Sequence, residues 1–525
     1  MTWSTVVITF SFFSCVATIH SLWKYHRSRY PPGPTPIPFI GNILNFGRET
    51  PWVTVSQWAK QYGDLIHVTV FGRHVVLANS LSVASELFER RSRIYSDRPE
   101  LTMLTMMGWD FNLAFKHYDD PLWKRHRKVF QRFFGSRSPI SIQPIQEGQA
   151  QELLRQLADT PDLFFLHTRN YAASIIMHAV CGHEIIQKNT YLIKLATDAV
   201  DTLSEEVFFG AQVLFAFPSR ECDLLLEIGI LDVNAQLVKH LPEWFPGGAF
   251  KVLARETRQV TSTLQNIPVD LVKKSVASGS TIPCLTTELL ELPDSKSEDA
   301  LHESDIKALT ATAFAGGIHT VESPLKSFFL AMVLYPEAQR RGKAEIDRVI
   351  GPGRLPTFQD QASLPYINAM CKEILRWHPS VPLGVAHSLL AEDEYEGYYI
   401  PKDTTVLSNI WAISRDERVY SEPDLFIPER FLNSDGTLND GDSSFVFGFG
   451  RRVCPGRHMA EATIFMAVAS VLSVYRISKA KDIFGRDIQV KEEYSSTGLI
   501  TGPLPFRCSI SPRSEEAKIL LNNFS

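Results

Sequence analysis

Phe447-Gly448-Phe449-Gly450-Arg451-Arg452-Val453-Cys454-Pro455-Gly456-Arg457 is the stretch on which the reading of this chain turns. It fits F-x-x-G-x-R-x-C-x-G, a pattern that chance supplies roughly once in 10⁷ start positions when each fixed residue has a frequency of a few per cent. Gly450 permits a sharp turn. Cys454 stands just before an apolar helix expected over Met459 to Tyr475. Main-chain N–H groups at such a helix start favour a thiolate and lower its pKa. Two other readings compete. Most free cysteines are buried core thiols, but a core thiol needs no such loop around it. Gly448-Phe449-Gly450 also opens like the dinucleotide turn G-x-G-x-x-G, yet Val453 occupies the third glycine position and that motif fails.

A thiolate is what a haem iron takes from cysteine, and Arg452 is of the right type to pair with a haem propionate. Upstream, Lys372-Glu373-Ile374-Leu375-Arg376 carries E-x-x-R, whose spacing puts both charges on one helical face. Alone, such a pair reads as a solvated surface ion pair. It gains meaning from Pro428-Glu429-Arg430-Phe431. Together these motifs resemble those of the cytochrome P-450 family of haem-thiolate monooxygenases, most closely its fungal microsomal members. The resemblance runs nearly the length of the chain. It implies haem b (iron protoporphyrin IX) with Cys454 as axial ligand, and Phe447 and Arg452 beside it. Glu373, Arg376 and Arg430 would form a structural triad behind the haem. Trp123 and Arg127 look like the W-x-x-x-R of the family's propionate-binding helix. His387, in Val385-Ala386-His387-Ser388, resembles a histidine that many members aim at a propionate, with Ser388 where related fungal chains often carry Arg. An ordinary strand histidine is the other reading of His387.

A long helix is expected from Ser304, its N-cap, to Leu334, with Pro336 as its stop. It contains Phe314-Ala315-Gly316-Gly317-Ile318-His319-Thr320, which is similar to the family's [A/G]-G-x-[D/E]-T except that His319 replaces the acid. Thr320 would hold water and relay protons to bound dioxygen. Histidine also shuttles protons near neutral pH, so His319 is expected to stand in for the acid. Alternatively, His319 points away and water or Glu322 supplies the protons. Pro324 has no N–H to offer the carbonyl of Thr320, so the helix should bend there and free that carbonyl.

Composition sets the frame around these motifs. Of 525 residues, 44% are hydrophobic and 21% charged, which excludes a disordered chain. The net charge of −5 argues against a globally basic nucleic-acid binder. Seven scattered cysteines, with no C-x-x-C, exclude zinc ribbons and thioredoxin-like sites and disfavour a disulfide framework. Thr2 to Trp23 lack Asp, Glu, Lys and Arg, and the run is long enough to cross a bilayer. A cleaved signal peptide would carry a basic start, which is missing. The expected organisation is a transmembrane anchor over 1–23, a basic and Pro-rich hinge over 24–40, one haem-thiolate domain over 41–512 and a polar, frayed tail over 513–525. Lys24, His26, Arg27 and Arg29 put that domain on the cytosolic side of the endoplasmic reticulum membrane, single-pass. The fold class is mainly α with a minor β-sheet region. A hairpin is expected over Asp64 to Leu77 with Gly72 in its turn, helices over Pro336 to Ile350 and Gln361 to Trp377, and strand character over Tyr395 to Leu407.

The resemblance implies three pocket-lining segments: Met103, Leu104, Met106, Met107, Trp109 and Phe111; Phe208 to Phe217; and Val381 to Val385 with Leu499 and Ile500. All are mostly apolar, so an apolar small molecule, terpenoid or aromatic, is the expected substrate. Apolar stretches are also what cores are made of. Phe208 to Leu241 reads as an insert that could touch the membrane surface. With no nucleotide motif or ferredoxin-type cluster, electrons must come from a partner, NADPH-cytochrome P-450 reductase with cytochrome b5 as a second donor. Lys124, Arg125, Arg127, Lys128, Arg451 and Arg457 would form its docking face. A haem-thiolate isomerase or peroxide-driven enzyme, and a non-catalytic haem-binding protein, are the competing functions.

Overall fold

A computed structural model describes residues 29–38, 40–46, 49–135, 141–182, 190–204, 249–279, 283–291, 301–496 and 498–522. The anchor segment Thr2 to Trp23, the first part of the hinge and the stretch Phe208 to Leu241 lie outside them.

Among the described residues helices dominate, with three small sheets among them. Strand β1 (Leu65–Val70) turns into β2 (Arg73–Ala78) through Phe71 and Gly72, whose φ values are 47° and 79°. Two successive positive φ values make the mirror-image turn whose twist suits a hairpin. Further on come β3 (His387–Ser388), β4 (Asp393–Tyr395), β5 (Tyr398–Ile400) and β6 (Thr405–Ser408). β6 pairs parallel to β2 and antiparallel to β3, giving the order β1-β2-β6-β3. The stretch expected as strand-like from Tyr395 to Leu407 is thus three short strands, interrupted after Ile400 where Pro401 cannot donate to a ladder. β7 (Tyr475–Lys479) pairs with β8 (Cys508–Pro512).

The Arg457–Val474 helix lies at the centre, buried without interruption from Thr463 to Val474. A helix that is apolar all round must be covered on every side. Helices Gln143–Asp159, Phe164–Cys181, His319–Leu334, Pro336–Val349 and Pro365–Trp377 supply that cover in one shared core. The Pro336–Val349 helix ends as expected at Gly351, which takes a φ of 77°.

Three boundaries differ from expectation. The helix foreseen from Gln361 begins at Pro365, because Phe358–Ser363 forms its own 3-10 turn capped by Thr357 and Asp360. The long helix starts at Glu303, where His302 rather than Ser304 is the N-cap and forms a capping box with Asp305. The tail is not frayed throughout: Glu515–Asn522 is helical, the Ser514 hydroxyl accepts the Ala517 N–H at 3.2 Å, and Ala517 is buried. Ala517, Leu520 and Leu521 make the apolar stripe that docks it on the main core. Among the described residues, no helix is long and apolar enough to cross a membrane.

Candidate active site

A cavity of about 350 Å³ opens between the cysteine loop, the Pro121–Phe134 helix, the broken long helix and the segments around Val381 and Ile500. Phe447, Arg452, Cys454, Trp123, Arg127, His387 and Thr320 all line it, so residues scattered through the sequence are brought to one wall.

The cysteine loop is tightly keyed. Gly450 has a φ of 53°, and a Cβ there would lie 2.0 Å from the Phe88 carbonyl oxygen, so no other residue fits. The Cys454 N–H donates to Phe447 O at 2.9 Å, closing the loop. Burial pushes the Cys454 thiol up, while the Gly456 N–H and the charges of Arg127 and Arg457 pull it down. Burial wins, so the expected helix-start effect is present but does not by itself yield a thiolate. A metal ion would displace the proton on binding.

Three guanidinium groups stand in this wall. Arg452 donates from Nε to Ser96 O at 2.7 Å and from Nη2 to Lys116 O at 2.8 Å, with its plane 4.2 Å over Trp123. Its Nη1 is buried and has no hydrogen-bond partner among the described residues. Arg127 Nη2 donates to Val453 O at 2.5 Å. Arg98, which sequence reasoning passed over, donates to Ala114 O, Val385 O and Ala386 O at 2.7, 2.8 and 2.6 Å. Among the described residues none of the three forms an ion pair with a carboxylate. Burial holds all of them below the usual arginine range, aided at Arg98 and Arg452 by neighbouring arginines of the wall and at Arg127 by Arg457, with Arg452 at about 10. Such a wall is complementary to an anionic group that would fill it. The signal for Arg98 was Ser96-Asp97-Arg98-Pro99, an arginine between two polar residues and a proline, which has no periodic signature.

His387 sits beside these arginines, its Nδ1 donating to Tyr95 O at 2.7 Å. Burial, then the charges of Arg98 and Arg452, push its pKa well below the ordinary value. His387 lines the same cavity as these arginines, with Nδ1 engaged on Tyr95 O.

Behind the cavity, Glu373 takes Arg376 in a fork at 2.7 and 2.8 Å and Arg430 Nε at 3.1 Å. Arg376 also donates to Ser414 O and Pro423 O, both at 2.8 Å, and the Ile427 N–H donates to Glu373 at 2.8 Å. The three side chains are brought together as expected. Every strand of the network is satisfied, which is the condition under which buried charges hold a fold rather than loosen it.

The long helix breaks at Ile318, whose ψ of −75° separates Glu303–Gly317 from His319–Leu334. The Thr320 hydroxyl donates to Gly316 O at 2.6 Å, and the Ser380 hydroxyl donates to the freed Thr320 carbonyl at 3.3 Å. The interruption therefore falls two residues before the expected bend, where Gly316 and Gly317 hold the helix least firmly. His319 is not on the cavity wall. It is 8% exposed, with Nδ1 3.0 Å from Glu322 Oε2. This is the placement of the alternative reading, in which His319 points away from the cavity. Glu322 fares no better as a donor. Burial raises its pKa, but the His319 hydrogen bond and the charges of Lys326 and Arg169 outweigh burial and bring it to about 2. Thr320 is the residue that meets the cavity here.

The substrate segments divide. Val381, Val385, Leu499 and Ile500 line the cavity. The Met103-to-Phe111 residues do not. Leu104, Met107 and Trp109 are buried in a core shared with the helices around them, with Met103, Met106 and Phe111 packed against it, and Leu113 to Phe115 meet the cavity instead. Phe208 to Phe217 lies outside the described residues. Of the basic face, Lys124, Lys128 and Arg451 are exposed, whereas Arg127 turns inward and Arg125 lies 4.0 Å from Asp305.

The cytochrome P-450 family model matches residues 31–507. A cytochrome P-450 monooxygenase of Armillaria gallica is 37% identical over 495 residues, covering 94% of this chain and 93% of the relative. Cytochrome P-450 monooxygenase 98 of Postia placenta is 36% identical, with 94% and 92% covered. Cytochrome P-450 monooxygenase claR of Ampulloclitocybe clavipes is 35% identical, with 96% and 91% covered.

Proposed function

The chain belongs to the cytochrome P-450 family of haem-thiolate monooxygenases, and from that premise we propose that it inserts one oxygen atom of dioxygen into an apolar small molecule. The observation that carries the proposal is the shared wall. Cys454 and three cationic side chains face one cavity, and one of those cations keeps a buried donor free.

Haem b fits this wall. Cys454 would ligate the iron, Arg452 Nη1 would meet a propionate, and Arg98 and Arg127 would balance the remaining negative charge. Phe447 and Trp123 would flank the ring. Bound haem supplies the reductive activation of dioxygen. The chain's own residues do the rest. Thr320 donates its hydroxyl proton to Gly316 O and so keeps its oxygen free to accept a water proton in the cavity. Val381, Val385, Leu499 and Ile500 exclude bulk water and favour an apolar substrate of terpenoid or aromatic type. Glu373, Arg376 and Arg430 hold the segments behind the cysteine loop in register.

Electrons would come from NADPH-cytochrome P-450 reductase, docking at Lys124, Lys128 and Arg451, with cytochrome b5 as a second donor. The domain boundaries read from the sequence fit this role: an anchor over 1–23 and a hinge over 24–40, with the catalytic body on the cytosolic face of the endoplasmic reticulum. The test is incubation of the full chain with reductase, NADPH, isotopically labelled dioxygen and a panel of terpenoids and aromatics. A product carrying one labelled atom is expected. Product formed with no label from dioxygen would overturn the reading in favour of isomerase or peroxide chemistry.

A further inference from the structure

His319 lies between two carboxylates from different helices. Its Nδ1 is 3.0 Å from Glu322 on its own helix, and its Nε2 is 3.4 Å from Asp201 on the Thr190–Thr202 helix. Glu322 is fixed in place, because Arg169 Nε holds it at 3.0 Å and Lys326 pairs with it as well. Asp201 is different, with a side chain 49% exposed. The His319 Nε2 atom is itself buried, yet its contact with Asp201 is too long or too poorly aimed to satisfy it. One imidazole can serve a carboxylate at each nitrogen only as the imidazolium, donating from both.

The neighbours of Asp201 give this contact its meaning. Val200, Leu203 and Ser204 line the cavity. The far fastenings of that segment are equally loose: Leu499 N–H reaches Ser204 O at 3.4 Å, and Ile500 N–H reaches the Ser204 hydroxyl at 3.3 Å. The Thr190–Thr202 helix is thus a cavity wall seated by Leu192, Leu195, Ala196 and Ala199 in the core, whose polar contacts at its far end, among the described residues, are long. The hydrogen bonds of the three cavity arginines, by contrast, run from 2.5 to 2.8 Å. His319 also follows directly on the Ile318 break and precedes Thr320.

The geometry points to His319 as a positioning residue: a clasp that joins Asp201 to the anchored Glu322, closes the Thr190–Thr202 wall over the cavity, and couples that wall to the backbone at Thr320. This deepens the monooxygenase reading and rests on it for the identity of the cavity. Opening the clasp would let the wall move outward and admit a ligand faster, and losing it would loosen the main chain that presents the Thr320 hydroxyl.

Two readouts test it on the full-length haem-loaded protein. The first is amide hydrogen exchange over Tyr191 to Thr202. The second is the association and dissociation rates of 4-phenylimidazole, followed by its iron-ligation spectrum. Asp201→Ala, Asp201→Asn, His319→Ala and the Asp201→Ala/His319→Ala pair are compared with wild type. Each single change is expected to speed both exchange and probe association by about two- to five-fold, the range of a half-exposed ion pair. The double variant should be no faster than either single one. His319→Lys, which can donate to both carboxylates, should restore wild-type rates. Independent, additive effects, unchanged exchange, altered exchange with unaltered probe rates, or failure of the Lys variant to rescue would overturn the clasp. If wild type itself gives no ligation spectrum, it is the haem reading that has failed, and exchange alone still decides whether the clasp exists.

Discussion

The hydroxyl of Ser380 caps the main-chain carbonyl of Thr320 at 3.3 Å, filling the place that the missing N–H of Pro324 leaves empty. The break in the long helix is thereby satisfied rather than merely tolerated. Ser380→Ala should leave that carbonyl without its partner and cost about 1 kcal/mol, the usual net value of one such bond. Urea unfolding of the two proteins measures it. The same variant should consume more NADPH per product formed, because the backbone that presents Thr320 is less well held.

Glu373 and its two arginines make a sharper prediction. Removing the carboxylate leaves Arg376 fully buried with its charge unpaired, and Glu373→Ala should cost about 3–5 kcal/mol. Arg430→Ala should cost less, because Arg376 still holds Glu373 and Arg430 meets that carboxylate through Nε alone. Thermal melting and the yield of folded protein separate the two.

Cys454→Ser should leave the fold intact and abolish the thiolate signature of the reduced, carbon-monoxide-bound protein. Circular dichroism checks the first part and difference spectroscopy the second. A retained thiolate spectrum would place the ligand elsewhere.

The arginine wall predicts a linkage between cofactor and stability. Three cations share a cavity surface with no carboxylate partner among the described residues, so adding haem should raise the melting temperature by mass action. The gain should shrink in Arg452→Ala, which lacks the free buried donor. Melting curves with and without added haem read this directly.

Glu322 sets an acid limit. Its pKa falls from 4.5 to about 2 in the folded protein, so its stabilisation is complete above the unfolded value and is lost as pH falls through the folded one. On the order of 3 kcal/mol should disappear between those limits. Glu322→Gln should be less stable than wild type at neutral pH and should lose less stability on acidification over that range.

The parts legible in the sequence were those fixed by local chemistry. A cysteine among glycines and arginines, an E-x-x-R, and a proline four residues after Thr320 each state a requirement that neighbours cannot overrule. The Met103-to-Phe111 stretch was misassigned because an apolar run says only that it is buried, not whether it faces a cavity or a neighbouring helix. His319 was read into the relay because it stands at the acid position of the motif, one residue before Thr320. On a helix one residue turns the side chain by about 100°, which is enough to leave the cavity. Arg98 carried no pattern at all, since its role comes from carbonyls contributed by distant segments. The terminal helix was hidden by polar composition, which masked a three-residue apolar stripe.

Gly450 presses against the Phe88 carbonyl, and Arg452 grips the Ser96 carbonyl across 356 residues of sequence. The cysteine loop can therefore take its shape only after the two ends of the chain have met. Contacts of such span are the slowest to form and expose the chain longest while they are missing. The cofactor seat should be the last region to mature on the ribosome. A chain stopped before Arg457 would lack the Arg457–Val474 helix at its core as well as any means to hold its iron.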